Sequence, residues 1–157
     1  PPPPPPPPLL SGLVGSEMCI RDRICLVGVP GIVSADNCTM VGTILVPSGD
    51  GDIGAYIDGL EMLKKLKPHT LFPGHGPLIP NPQRILTDYI NHRKGRHSKV
   101  LEAVRSGNST LSKIAESAYS ETPDAHPSLA QDQTLSHLKS LVKSGLVSHN
   151  DGLYKPL

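Results

Sequence analysis

The chain between residues 24 and 46 carries three short apolar runs, at residues 24–29, 32–34 and 42–46. Each run is rich in β-branched residues, and the turn-forming pair Pro30 and Gly31 separates the first two. Short runs of this kind, bounded by turn residues, are typical of β-strands. We therefore predict three strands in this part of the chain.

A longer amphipathic segment follows the apolar runs. In residues 53–67 the apolar side chains recur at positions i, i+3, i+4 and i+7, which places them on one stripe of a helix. Asp52 can cap this helix, and Pro68 ends it. Residues 70–72 then form a brief strand that leads into the loop Pro73–Pro77. The predicted order is two strands, then a third strand, a helix and a fourth strand. This order predicts a sheet with a covering helix.

Helical patterns dominate the second half of the chain. Residues 83–105 form a polar and basic stretch with one packing side, in which Gly95 marks a kink or a boundary between two helices. Further helices are predicted at residues 111–119 and 128–145, and residues 150–152 (Asn-Asp-Gly) predict a hairpin turn. Helices followed by a hairpin give the element order of a winged helix-turn-helix.

Residues 1–23 are set apart from the rest by a proline run at the start. They lack the basic, apolar and cleavage regions of a secretory signal, and they lack the Arg- and Ser-rich amphipathic pattern of a transit peptide. The run Glu17–Arg23 matches one reading frame of the transposon-end adapter used to make sequencing libraries. We therefore interpret residues 1–23 as an artefact, and the alternative is a disordered, proline-rich leader.

Composition limits the class of protein. The 157 residues include 37% hydrophobic and 3% aromatic residues and carry a formal charge of +1, which favours a globular protein over a membrane-spanning or strongly polyanion-binding one. The three cysteines, Cys19, Cys25 and Cys38, form no Cys-x-x-Cys pair. This pattern argues against a disulfide framework and a zinc ribbon, so we expect buried or free thiols.

Asp36 and His75 form the sharpest pair of candidate metal ligands. Asp36 ends a predicted strand, and His75 lies in the Pro-Gly-His-Gly loop that follows another. Carboxylates and imidazoles bind zinc, and flanking glycines let the backbone turn tightly enough to aim a ring inward. Taken alone, Asp36 also fits a capping role, and His75 also fits an exposed loop. The metal hypothesis requires that the two side chains converge at one edge of the sheet.

A resemblance to a known family gives these residues a context. The segments Ser34–Asp36, Gly42–Thr43 and Leu71–Pro77, with the amphipathic helix between them, resemble the last two metal motifs of the metallo-β-lactamase superfamily. The segment Tyr89–Arg93 and the helical tail resemble the branch called β-lactamase-like protein 2. The resemblance covers residues 24–157.

The resemblance implies a fold and a metal site. The fold would be mixed α+β and α/β, with the C-terminal half of a metallo-β-lactamase αββα sandwich at residues 24–82 and a winged-helix domain at residues 83–157. Asp36 would be the catalytic carboxylate that bridges two zinc ions, and His75 would be a terminal ligand of the second ion. The implied chemistry is metal-assisted hydrolysis, in which the zinc ions lower the pKa of a shared water that Asp36 positions.

The same resemblance implies an endoribonuclease acting on single-stranded RNA, in the mitochondrial matrix or the cytoplasm. A small ester-like substrate is the other possibility, because related branches act on such compounds. The family's His-x-His-x-Asp-His motif, which supplies most of the ligands, does not occur in this sequence, and none of the seven histidines precedes Asp36. We therefore expect a fragment of a zinc hydrolase that binds zinc weakly and is inactive alone.

A basic cluster in the first tail helix offers candidate substrate contacts. His92, Arg93 and Arg96 could contact RNA phosphates, and a solvated helix face is the plain alternative. Residues 128–145 occupy the position of a recognition helix, but nearby acids oppose phosphate binding. The alternative function is a non-catalytic winged-helix module that binds nucleic acid or a protein partner, for which no upstream metal motif is needed.

Overall fold

A computed structural model describes the backbone of residues 24–25 and the whole of residues 31–42 and 44–157. The predicted leader, residues 26–30 at the end of the first predicted strand, and Thr43 lie outside the described residues.

The first half of the described chain is a four-stranded sheet covered by a helix. The strands are β1 (Ile24–Cys25), β2 (Gly31–Ala35), β3 (Thr70–Pro73) and β4 (Ile79–Pro80), in that spatial order, and the helix is α1 (Ile53–Lys65). Strands β2 and β3 are parallel, with Ile32 opposite Leu71, whereas β1 and β4 pair antiparallel on the outside. The predicted helix and the strand after it are confirmed as α1 and β3, whereas the strand that precedes α1 in the chain is β2 and not residues 42–46.

Helix α1 forms where the apolar stripe predicts it. The side chain of Asp52 accepts a hydrogen bond from the backbone N–H of Ala55 at 3.0 Å, which caps the first turn. Lys64 and Lys65 stand in the last turn, where cations suit the helix dipole. The helix presses its apolar stripe against the sheet, and the core there comprises Ile32, Ile53, Tyr56, Leu60, Leu63, Leu71, Ile79, Leu86 and Ile90, among others.

Helix α2 (Gln83–Arg105) is one continuous helix of 23 residues that includes Gly95. Leu86 and Ile90 near its start belong to the first core, and Val100 and Val104 near its end belong to a second core. Helix α2 therefore contributes side chains to both hydrophobic cores.

The remaining elements are α3 (Leu111–Ala118), α4 (Pro127–Lys143), and a hairpin of β5 (Val147–Asn150) and β6 (Leu153–Pro156). Asp151 and Gly152 in the hairpin turn both have positive φ, at 51° and 74°. Two such residues fit a type I′ turn, as the Asn-Asp-Gly sequence predicts. The predicted element order is confirmed, whereas the assignment to the winged-helix class remains a prediction.

The predicted strand at residues 42–46 is wrong for the residues that the structure describes there. Ile44 and Val46 belong to no strand. Their backbone groups bind side chains of the distant helices: Arg93 donates to the carbonyl oxygen of Ile44, and the Gln133 amide donates to that of Val46 at 2.9 Å. These side chains satisfy the backbone as a neighbouring strand would.

Two predictions about composition can be compared with the structure. Cys38 is buried and free, as expected for a small core thiol, and burial raises the pKa of this thiol to about 11. Among the described residues, no helix is both long and apolar enough to cross a membrane.

Candidate metal centre

Strands β2 and β3 bring Asp36 and His75 to the same edge of the sheet. Asp36 follows the last residue of β2, and His75 lies just beyond the end of β3. Because the two strands are parallel, their carboxyl ends meet at one edge. The backbone N–H of Gly74 donates to the carbonyl oxygen of Ala35 at 3.0 Å and ties the two strand ends together. Asp36 Oδ1 lies 2.7 Å from His75 Nδ1.

This contact defines which ring nitrogen of His75 remains available. An ionised carboxylate can only accept hydrogen bonds, so Nδ1 donates to Asp36. In the neutral ring, Nε2 then carries the free lone pair and can bind a metal. The two side chains are 86% and 53% exposed for His75 and Asp36 respectively. At that exposure the contact adds little to stability, so its geometry matters more for binding than for folding.

The backbone around the pair is unusually constrained. Ala35, directly before Asp36, has φ of 44°, and the β2–β3 register shifts between Val33 and Ala35. A non-glycine residue in this left-handed region costs about 1–2 kcal/mol. A Cβ added to Gly74 would lie 2.8 Å from Asp36 Oδ1. The left-handed conformation of Ala35 ends the extended strand just before Asp36. The absence of a Cβ at Gly74 leaves room for the Asp36 carboxylate.

The donor set fits part of a zinc site. Asp36 supplies oxygen and His75 supplies nitrogen, both of which are zinc ligands. Within the described ranges no group of three or more His, Cys, Asp or Glu side chains could hold a metal ion. These residues therefore fit two ligand positions of a zinc centre and do not close a four-coordinate one.

The chain is similar in sequence to several known proteins. No protein-family model matches the chain. The chain is 34% identical over 97 residues to the β-lactamase-like protein 2 homologue of Drosophila melanogaster, covering 60% of this chain and 33% of that protein. It is 27% identical over 99 residues to the homologue of the same name from Caenorhabditis elegans, covering 62% of this chain and 34% of that protein.

Solved structures show the same fold. A metallo-β-lactamase family protein from Thermus thermophilus superimposes with a TM-score of 0.64 at 16% identity, covering 82% of this chain and 42% of the other. A β-lactamase domain protein from Burkholderia ambifaria gives 0.63 at 16% identity, covering 81% and 40%. The chain thus shares the fold of metallo-β-lactamase family proteins and is similar in sequence to β-lactamase-like protein 2 homologues. It spans about a third of the length of the curated relatives it matches.

Of the three predicted substrate contacts, His92, Arg93 and Arg96, only His92 has an exposed side chain. Burial of part of its ring lowers the pKa of His92, and the nearby Arg93 and Arg96 lower it further. The imidazole is therefore neutral at pH 7, with one donor and one acceptor nitrogen.

Arg93 is 4% exposed and has partners inside the protein. Its guanidinium donates to the Ile44 carbonyl oxygen and to Gln133 Oε1, and it lies 5.6 Å from the centre of the Tyr56 ring. Arg93 therefore fastens α2 to the segment that follows the Asp36 loop. Its predicted contact with substrate remains a prediction.

Arg96 lies on another part of α2 and faces α3. It donates to the Ala118 carbonyl oxygen and to Thr122 Oγ1, and it stacks 3.8 Å from the centre of the Tyr119 ring. The structure thus separates the three basic residues, because each has a different set of neighbours. Substrate binding by Arg96 also remains a prediction.

Two residues that shape the candidate site carry no local signal in the sequence. Alanine rarely adopts positive φ, so Ala35 carries no sign of its conformation. Tyr89 contacts the loop after Asp36 through its hydroxyl, which bonds to the backbone of Thr39 and Gly42. That contact spans about 50 positions of sequence, so only a three-dimensional structure reveals it.

Proposed function

We propose that this chain provides two ligands, Asp36 and His75, of a zinc-dependent hydrolase centre. The observation that carries the proposal is the 2.7 Å contact between Asp36 Oδ1 and His75 Nδ1 at the carboxyl edge of two parallel strands. The same pair occupies the positions where the resemblance to the superfamily's metal motifs expects a bridging carboxylate and a terminal imidazole.

The chain's own residues prepare the two donors. Asp36 Oδ1 and His75 Nδ1 lie 2.7 Å apart, so the carboxylate and the imidazole stand side by side before a metal ion binds. Gly74 leaves the space that the carboxylate occupies. When bound, zinc supplies Lewis acidity and lowers the pKa of a coordinated water.

Single-stranded RNA is the substrate we propose for the whole protein, with a small ester-like compound as the other candidate. The RNA proposal rests on what the resemblance to the β-lactamase-like protein 2 branch implies, and the similarity to homologues of that name supports the resemblance. Cleavage of a labelled single-stranded RNA and of a small ester can be compared in a protein that carries both this chain and the His-x-His-x-Asp-His motif. Hydrolysis of the ester without RNA cleavage would contradict the RNA proposal.

Zinc binding can be tested on the chain as it stands. Histidine side-chain resonances of the labelled protein are recorded while zinc is added. We expect His75 to respond first and with weak affinity, because two ligands leave a zinc site open. Asp36→Asn should weaken this response, whereas Asp50→Asn, on an exposed loop, should leave it unchanged. A first response from another histidine, or no effect of Asp36→Asn, would contradict the proposal.

We also expect no measurable hydrolysis from this chain alone, since its sequence lacks the motif that supplies most of the ligands. Zinc-dependent turnover by purified residues 24–157 would overturn this expectation. The alternative function is a non-catalytic module that binds nucleic acid or a protein partner. Lys139 and Lys143 near the end of α4 make exposed contacts with Ser48 and Asp52 of the first half, so these two cations already have partners within the chain.

A further inference from the structure

A groove lies between residues 39–42 and the first turns of α2. Its volume is about 260 Å³. This is smaller than the roughly 300–1,000 Å³ of pockets that hold drug-sized ligands. The groove therefore suits one ring system and is too small for a whole nucleotide.

The groove adjoins the candidate metal centre. Thr39, which lines it, comes three positions after Asp36. On its other side, Thr39 Oγ1 would lie 3.3 Å from a Cβ added to Gly76, the residue after His75. One residue thus separates the groove from the loop that carries His75. A ligand that reaches the metal centre can place a neighbouring group in the groove.

Hydrogen bonds hold the two walls of the groove in place. The Tyr89 hydroxyl accepts from the backbone N–H of Thr39 at 3.3 Å and lies 3.2 Å from the carbonyl oxygens of Thr39 and Gly42, to which it can donate. Because α2 and the loop are joined at this point, the groove does not have to be formed by the ligand. A preformed pocket loses less conformational entropy on binding.

The walls combine apolar surface with several polar side chains, and Arg93, whose guanidinium is bound inside the protein, also lines the groove. Met40, Ile85 and the Tyr89 ring offer flat or adaptable apolar contact of the kind that aromatic rings favour. Asp88 and His92 lie one turn apart on α2, both on the groove. The Asp88 carboxylate can only accept hydrogen bonds, and its ion pair with the exposed Arg84 is long, at 3.9 Å. Asp88 is therefore able to accept from a ligand.

We propose that this groove binds one amino-bearing nucleobase of a single-stranded RNA, next to the phosphate that is cleaved at the metal centre. The inference rests on the proposed function, which makes RNA the substrate. A flat base fits the apolar walls, and an exocyclic amino group can donate to Asp88 while His92 offers a donor and an acceptor. Cytosine, adenine and guanine carry such a group, whereas uracil presents a carbonyl oxygen that the carboxylate repels.

Cytidine and uridine 5′-monophosphates form a matched pair of probes, because they share ribose and phosphate and differ at the base edge. The full 157-residue chain, labelled with ¹⁵N and free of added zinc, is titrated with each at pH 7. We expect the cytidine nucleotide to bind about tenfold more tightly, as a hydrogen bond to a charged group allows. The resonances of Met40 and His92 should shift most.

Three variants locate the contact. Asp88→Asn should abolish the preference for cytidine, and because Asp88 is exposed the substitution should leave the fold intact. Met40→Ala should weaken the binding of both nucleotides equally, because it removes apolar contact with the base. Asp58→Asn, on the exposed side of α1, is the control with the same change of charge and should retain the preference.

Equal affinities, shifts that map elsewhere, or an Asp88→Asn variant that keeps the preference would each overturn the inference. Absence of saturable binding would overturn it as well. The zinc titration of His75 is read separately. If zinc binds at His75 but the two nucleotides bind equally, the assignment of the groove is wrong and the metal centre stands. If the cytidine nucleotide is preferred but zinc does not bind at His75, the metal centre is wrong and base binding by the groove stands.

Discussion

Glycine at position 74 leaves space for the carboxylate of Asp36. Adding one methyl group at this position therefore tests whether the placement of the carboxylate matters for zinc binding. A Cβ at this position would lie 2.8 Å from Asp36 Oδ1. In Gly74→Ala we expect the carboxylate to move away from His75, which should weaken zinc binding about tenfold, as the loss of a supporting contact does at metal sites. The measurement is the zinc titration of the histidine resonances.

Gly95→Ala is the matched control for that substitution. Gly95 lies inside α2, and a Cβ there would meet nothing within 4 Å. Alanine in a helix interior is more favourable than glycine by roughly 0.5–1 kcal/mol. We expect this variant to raise the free energy of unfolding by that amount and to leave zinc binding unchanged. Equal zinc affinity in the two variants would contradict the role given to Gly74.

At the residue scale, the sequence predicts that Asp36 and His75 converge but not how. Each residue follows a predicted strand, and parallel strands end at one edge, so their approach can be argued from the pattern. The left-handed backbone of Ala35 cannot be predicted from the pattern, because nothing in alanine itself favours positive φ. That conformation depends on the pairing of the whole strand with β3.

At the scale of elements, Arg93 joins α2 to Ile44 and to Gln133 of α4. In Arg93→Leu the Ile44 carbonyl oxygen and Gln133 Oε1 each lose a charged donor in a buried place. We expect the free energy of unfolding in urea to fall by about 2–4 kcal/mol. Arg93→Lys should lose less, because it keeps the charge but not the forked geometry. Arg84→Leu, at a side chain that is 95% exposed, should change stability by less than about 0.5 kcal/mol.

The contact between α2 and α4 includes a pair of histidines that should make stability sensitive to acid. His137 is fully buried, and its Nδ1 lies 3.2 Å from Nδ1 of His97. Its Nε2 has no hydrogen-bond partner among the described residues. Burial, with His97 and then Arg93 and Arg96 contributing, lowers the pKa of His137 to about 3. A proton on this ring would have no compensating partner.

The sign of the pH effect follows from that shift. An unfolded histidine titrates near pH 6.5, so between about pH 6.5 and 3 the unfolded chain binds a proton that the folded chain excludes. The stability is therefore fully present above pH 6.5 and falls on acidification, by about 1–2 kcal/mol at pH 5 for this residue. Urea unfolding of His137→Phe at pH 7 and pH 5 should show a smaller difference than the wild type. His69→Phe, at an exposed position, should retain the wild-type difference, and an unchanged difference in His137→Phe would contradict the assignment.

The element that sequence reasoning places wrongly shows what local patterns omit. Residues 42–46 have the composition of a strand, yet Ile44 and Val46 are bound by side chains that come 49 and 87 positions later. Such pairing is invisible in a short window of sequence. The helices and the hairpin are predictable because their signals, an apolar stripe or an Asn-Asp-Gly turn, lie within the element itself.

At the scale of the whole molecule, α4 connects the two cores through polar contacts. The Gln133 side chain accepts from the backbone N–H of Val46 at 3.4 Å and donates to its carbonyl oxygen at 2.9 Å. Asp132 accepts from the Ser48 hydroxyl at 2.6 Å, and Ser136 donates to the Val46 carbonyl oxygen at 2.7 Å. With α2 shared between the cores, these contacts predict that the chain unfolds as one cooperative unit.

Gln133→Ala tests this connection. The Val46 N–H would lose its partner while the carbonyl oxygen keeps Ser136, so we expect a loss of about 1–3 kcal/mol in the free energy of unfolding. Hydrogen exchange at the Val46 amide should become faster than in the wild type. Urea unfolding followed at Leu60 in the first core and Leu138 in the second should coincide in the wild type and separate in the variant. Gln131→Ala, two positions away on the same helix, should preserve both the exchange rate and the coincidence. Separate transitions in the wild type would mean that the two cores fold independently and that the polar contacts of α4 are too weak to couple them.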